Sequence, residues 1–122
     1  MDFSICSYNC CSLNKNIDVV RELTNERYDF IFLQETLVTE DRMGELQFID
    51  DNYEVVGVCS VFSDLALETN AGRSEGGLAC FWRKGSPFKI VNIITEKDFI
   101  VLSIEINSLI IVLVNVYIRS DI

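Results

Sequence analysis

The residues equipped for chemistry gather at a few points along the 122-residue chain. Cys6, Cys10 and Cys11 lie close enough together to suggest a thiolate metal site. Zinc sites, however, pair such ligands with a second pair of Cys or His. No second pair follows, and the chain contains no His at all. Small buried core residues are therefore the stronger reading of these cysteines. The missing His excludes, within this chain, any base, acid or ligand role for imidazole. Two apolar strands end in polar side chains, one in Asn9 and the other in Gln34-Glu35. The carboxyl ends of parallel strands are where open α/β sheets bind their ligands.

The elements around these residues follow from hydrophobic period. Asp2 to Tyr8 alternates as a strand and closes at Asn9. After the polar break 12–16, in which Asn14 or Asn16 suits a helix N-cap, Leu13, Ile17, Val20 and Leu23 form one apolar stripe of a helix reaching about Arg27. Tyr28 to Glu35 is a second strand, and Phe30-Ile31-Phe32-Leu33 is apolar on both faces, as in a strand covered on both sides. Strand, helix and strand in this length make a βαβ unit with parallel strands. Residues 36–52 read as a long loop with one short helix near Arg42 to Phe48. Strands are expected at 53–62, 77–83, 88–95, 99–106 and 109–117, with a loop at 63–76 and a turn at Gly85-Ser86-Pro87. Asn107-Ser108 fits a two-residue hairpin loop. Residues 99–118 are apolar enough to raise the question of a membrane span. Glu105, Asn107 and Asn115 interrupt them, and two buried strands fit better.

Composition sets the outer bounds. Apolar residues make up 49% and the net charge is −9, so there is ample surface to bury and no bulk positive charge to hold nucleic acid. The charge is uneven: Thr36 to Ala71 carries eight acids and one base, whereas Gly72 to Lys97 carries five bases and two acids. Five cysteines, an odd number, behind an N-terminus with no basic or long apolar leader segment fit reduced thiols in an intracellular protein.

Four segments taken in order, SYNCCSL at 7–13, IFLQET at 31–36, GGLACFWRKG at 76–85 and VNVYIRSDI at 114–122, resemble the endonuclease/exonuclease/phosphatase (DNase-I-like) superfamily. More closely, they resemble the N-terminal half of the endonuclease domain of LINE-type (non-LTR) retrotransposon polyproteins. The resemblance implies an α/β fold: the N-terminal half of a four-layer α/β/β/α sandwich, with a mixed sheet of about six to seven strands and one main helix. Residues 1–122 would then be a partial domain. The family's second half carries the strings G-D-F-N and S-D-H, and neither occurs here.

Residue by residue, Glu35 matches the family's Mg²⁺-binding carboxylate. Asn9 matches the polar residue that supports the metal or the scissile phosphate, and Tyr117 matches the hydroxyl donor near that phosphate. Arg73, on the loop before the Gly-Gly strand, would approach a DNA backbone. Gln34 would orient Glu35 or the loop, and Gly76-Gly77 would serve a tight bend. Trp82 is better read as a core aromatic than as a base-stacking platform. Arg119 stands where the family often has Pro, a sign of divergence.

The implied activity is Mg²⁺-dependent phosphodiester cleavage, with Mn²⁺ as an alternative ion, nicking DNA for target-primed reverse transcription. Without the family's Asp and His, these 122 residues would lack the base and be inactive alone. The alternatives are a relic or domesticated fragment that acts only by binding, and a phosphatase of the same superfamily. The expected partners are a DNA backbone, the missing C-terminal half, or a second copy meeting an exposed apolar sheet face. No membrane is expected, and localisation by resemblance is nuclear or cytoplasmic. The chain would supply one sheet whose inner face, apolar at 30–33 and 109–114, would lie uncovered.

Overall fold

The computed structural model describes residues 2–62 and 74–118. Strand β1 (Ile5–Asn9) runs into helix α1 (Ile17–Asn25), which returns to strand β2 (Phe30–Gln34). β1 and β2 pair in parallel, with Ile5 opposite Phe30 and Asn9 opposite Gln34, so both polar strand ends reach the same edge. The expected stripe is real, though Leu13 precedes the helix: Leu13, and Ile17, Val20 and Leu23 on α1, pack against Ile31, Leu33 and Phe81 on one face of the sheet. The helix stops two residues short of Arg27, which takes a left-handed φ of 61° and turns the chain toward β2. Asn16 occupies the N-cap position, but its side chain does not cap. Its amide donates to the carbonyl of Cys10 at 2.7 Å and fastens the helix start to the end of β1.

A 3-10 helix (Glu40–Phe48) fills part of the expected loop. Strand β3 (Tyr53–Val58) follows, then the two-residue strands β4 (Val61–Phe62) and β5 (Ser74–Glu75), which pair with each other. Strand β6 (Leu78–Arg83) enters antiparallel between β2 and β3, giving the order β1-β2-β6-β3. β2 and β6 are therefore central and covered on both faces. Ile31, Leu33, Ala79 and Phe81 face the helix, and Phe30, Phe32, Leu78 and Cys80 face the other way.

Strands β7 (Lys89–Glu96), β8 (Phe99–Ile106) and β9 (Leu109–Val116) form a separate antiparallel meander. The expected hairpin loop is there, with Asn107 and Ser108 at φ 50° and 68°, the two positive angles of a type I′ turn. The strands thus divide between sheets instead of joining one mixed sheet, and this corrects the expectation of an uncovered inner face. Tight turns fold the last three strands onto one another, and Ile100, Leu102 and Ile104 of β8 close over Phe30, Phe32, Leu78 and Cys80. The apolar surface left open is the opposite side of the meander, where Ile110, Val112, Val114 and Val116 of β9 are each about half exposed. Among the described residues no helix is long and apolar enough to cross a membrane.

Candidate active site

The edge where β1 and β2 end is also where β9 ends. Parallel pairing sets Asn9 beside Gln34, and the face-to-face packing of the sheets brings Tyr117, just past β9, against Glu35. The Tyr117 hydroxyl donates to Glu35 Oε1 at 3.1 Å, and the Cys11 thiol donates to Glu35 Oε2 at 3.5 Å. The Asn9 side-chain oxygen accepts from the Cys11 backbone N–H at 3.1 Å, closing an Asx turn, and lies 3.2 Å from the Cys11 thiol, whose single hydrogen it shares with Glu35. Asn9, Glu35 and Tyr117, taken from three separate segments, thus line one open cleft of about 370 Å³ together with Ser7, Gln34 and Asn115. A larger cleft of about 460 Å³ between α1 and the 3-10 helix is lined by apolar residues such as Leu13, Ile17 and Leu46 and by the charged Arg21, Arg42 and Glu45, and holds none of these groups.

The backbone here is unusual for its residue types. Cys11, Ser12, Glu35 and Leu37 all have positive φ, a conformation that costs free energy and concentrates at functional sites. Neighbouring backbone holds it in place. Ser12 N–H donates to Glu35 O at 2.9 Å, while Thr36 and Leu37 N–H donate to the carbonyls of Gly77 and Gly76 at 3.2 and 3.1 Å. The Gly-Gly pair is therefore the clamp on the segment after Glu35. Gly77 has φ 93°, and a Cβ there would fall on Thr36 Oγ1 and 3.1 Å from Leu37 N.

The thiols divide by surroundings. Burial pushes Cys10 and Cys80 up to about 12. Exposed Cys11 is raised first by its hydrogen bond to Glu35, so it stays a neutral donor near pH 7. All five cysteines are free thiols. The donors that could hold a cation are the Glu35 carboxylate and the Asn9 amide oxygen. They are hard ligands, suited to Mg²⁺ or Mn²⁺. Among the described residues no group of three or more His, Cys, Asp or Glu could hold a metal.

Arg73 lies outside the described residues, as does Arg119. Trp82 pairs with the residues at the far end of β2, opposite Phe30, and packs into the core between the sheets, away from the cleft. Two residues of the site were missed by sequence reasoning. Cys11 carried no signal beyond its neighbours. Asn115 did carry one: a lone amide inside an apolar strand, which must find partners if buried.

No family model matches the chain, and no curated protein sequence matches it. Solved structures do. The AP endonuclease of Leishmania major superposes with a TM-score of 0.68 at 18% identity, covering 96% of this chain and 40% of that one. The catalytic domain of Xenopus laevis APE2 gives 0.68 at 19% identity, covering 97% and 46%. A Neisseria 3′ phosphatase bound to a product DNA hairpin gives 0.56 at 16% identity, covering 91% and 40%.

The fold is DNase-I-like. The chain spans less than half the length of these neighbours while using nearly all of its own, as half of the four-layer sandwich would. At these identities the likeness establishes the DNase-I-like architecture and leaves the chemistry to be argued from the site.

Proposed function

We propose that this chain is the metal-holding half of a divalent-metal-dependent phosphodiester-cleaving domain of retrotransposon type, acting on DNA. The observation that carries the reading is the placement of Glu35. One carboxylate stands at a strand end, at positive φ, with two neutral donors on its oxygens and an open cleft in front. Glu35 and Asn9 would hold Mg²⁺ or Mn²⁺. When bound, the ion would stabilise charge developing on a phosphate and its leaving oxygen. The Tyr117 hydroxyl orients the carboxylate and faces the same cleft. The exposed Asn9 amide fixes the turn after β1. The 122 residues supply no His to support an attacking water, so the chain alone holds part of a unit whose members do not act singly.

The neighbouring solved structures include AP endonucleases and a DNA-bound 3′ phosphatase, which supports a phosphate-ester substrate. The retrotransposon type and a DNA target rest on the four resembling segments, and nuclear or cytoplasmic localisation follows from the same resemblance. The test is a supercoiled plasmid incubated with the purified chain and Mg²⁺, beside a Mn²⁺ titration of the chain. The reading expects saturable Mn²⁺ binding that is lost in Glu35→Gln, with no nicking. Steady nicking by the wild-type chain that Glu35→Ala abolishes would overturn the assigned inactivity. Equal Mn²⁺ binding by Glu35→Gln would overturn the metal assignment.

A further inference from the structure

The residue tying the site to the two sheets is one that a strand pattern treats as an interruption. Asn115 is 1% exposed, among apolar neighbours, and every polar hydrogen of its amide has a use. Its Nδ2 donates to the carbonyls of Leu33 on β2 at 3.1 Å and Ala79 on β6 at 3.0 Å, with the Cys80 sulfur at 3.5 Å. Its Oδ1 accepts from Gln34 Nε2 at 2.8 Å. The reverse orientation of the amide would press an oxygen onto two carbonyl oxygens, so the assignment follows from the partners. Gln34 spends its other N–H on Ser7 Oγ at 3.1 Å, across the pair with β1.

These bonds close a ring. Gln34 is covalently followed by Glu35, and the chain turns at Glu35 with φ 52°. Asn115 is followed two residues later, just past the end of β9, by Tyr117, which packs on the same core between the sheets and whose hydroxyl returns to Glu35 Oε1. One amide thus fixes both approaches to the carboxylate: the strand end that carries it and the phenol that holds it.

We propose that Asn115 is the positioning residue of this site, an inter-sheet bracket that acts through Gln34 and Tyr117 to set where the Glu35 carboxylate stands. The proposal rests on the metal reading only for its affinity readout. Removing partners that orient a metal ligand commonly lowers affinity 10- to 100-fold.

Gln34→Leu cuts the arm toward the site and leaves the Asn115 bonds to Leu33 and Ala79. Asn115→Ala removes the bracket. Both are made in the full chain. Mn²⁺ affinity and the ¹³Cζ resonance of labelled Tyr117 are then measured, with circular dichroism to confirm the fold. The expected result for Gln34→Leu is a native fold, a shifted Tyr117 resonance without metal, and Mn²⁺ affinity lower by about tenfold. Asn115→Ala, where it folds, should do the same. Where it does not, Gln34→Leu carries the test alone. An unmoved Tyr117 resonance with unchanged Mn²⁺ affinity in folded Gln34→Leu would overturn the proposal. If wild type binds no Mn²⁺ at Glu35, the metal reading falls. The Tyr117 resonance then decides positioning alone, supporting it if shifted and overturning it if not.

Discussion

The same strands end twice, and their two ends are built on different terms. At the far end, Asp29 precedes β2. Its carboxylate takes the Arg83 guanidinium at 2.9 Å and the Ser4 backbone N–H at 3.0 Å, while its own N–H and carbonyl go to Ser4 and Arg83. Tyr53 closes that corner by donating to Tyr28 O at 2.6 Å. At the near end, Glu35 follows β2 and, among the described residues, its carboxylate receives a phenol and a thiol, on a backbone of positive φ. Among the described residues no cation touches it. Asp29 is a carboxylate with its charge answered, and that answer stabilises the fold. Glu35, among the described residues, is held by neutral donors, the arrangement the proposed cation site needs. The difference separates two acids that flank a single strand, one bound into the fold and one proposed to meet a cation.

Substitutions can break this contrast. The largest effect is expected from Gly77→Ala. A side chain at φ 93° that collides with Thr36 should cost about 2–4 kcal/mol in denaturant unfolding, because it combines strain with overpacking. It should also weaken Mn²⁺ binding, since Gly77 holds the segment after Glu35. At the far end, Asp29→Ala should cost about 2 kcal/mol, from charge-assisted hydrogen bonds to a largely buried carboxylate, and leave Mn²⁺ affinity unchanged. At the near end the pattern should invert. Glu35→Gln should lower Mn²⁺ affinity by at least about tenfold, near 1.4 kcal/mol, yet move stability by no more than about 0.5 kcal/mol.

A smaller effect concerns pH. Cys10 and Cys80 lie near 12 when folded and near 9 as free thiols, so folding favours their neutral forms. Their contribution is whole below pH 9. It is lost as pH rises toward 12, because the unfolded chain ionises first. Urea midpoints measured across that range should fall, and Cys10→Ser with Cys80→Ser should flatten the fall. The smallest effect is at the hairpin. Ser108→Gly, at φ 68°, should raise stability by about 0.5 kcal/mol in the same unfolding assay.

How much of this was legible in the sequence depended on what each pattern encodes. The βαβ unit was readable because period and length differ between Ile17–Asn25 and Phe30–Gln34. The hairpin was readable because Asn-Ser between apolar runs demands a particular turn. The partition of strands between sheets was not readable. A strand such as Leu109–Val116, apolar at nearly every position, says that it is buried somewhere without saying against which sheet. Asn9, Glu35 and Tyr117 were named by resemblance. Nothing in their spacing of 26 and 82 residues states that they meet, since the meeting depends on sheet stacking. Asn115 was legible only as an interruption of an apolar run, because its role depends on partners on β2 and β6 that lie far away in sequence.

The central claim is that the near end is a cation site and the far end is not. Titrating Mn²⁺ into ¹⁵N-labelled chain and following paramagnetic broadening residue by residue tests it most directly. The account predicts broadening centred on Asn9, Glu35 and Tyr117, none at Asp29, and its disappearance in Glu35→Gln. Broadening centred instead on the acidic stretch from Glu40 to Glu54, and unaffected by Glu35→Gln, would contradict it.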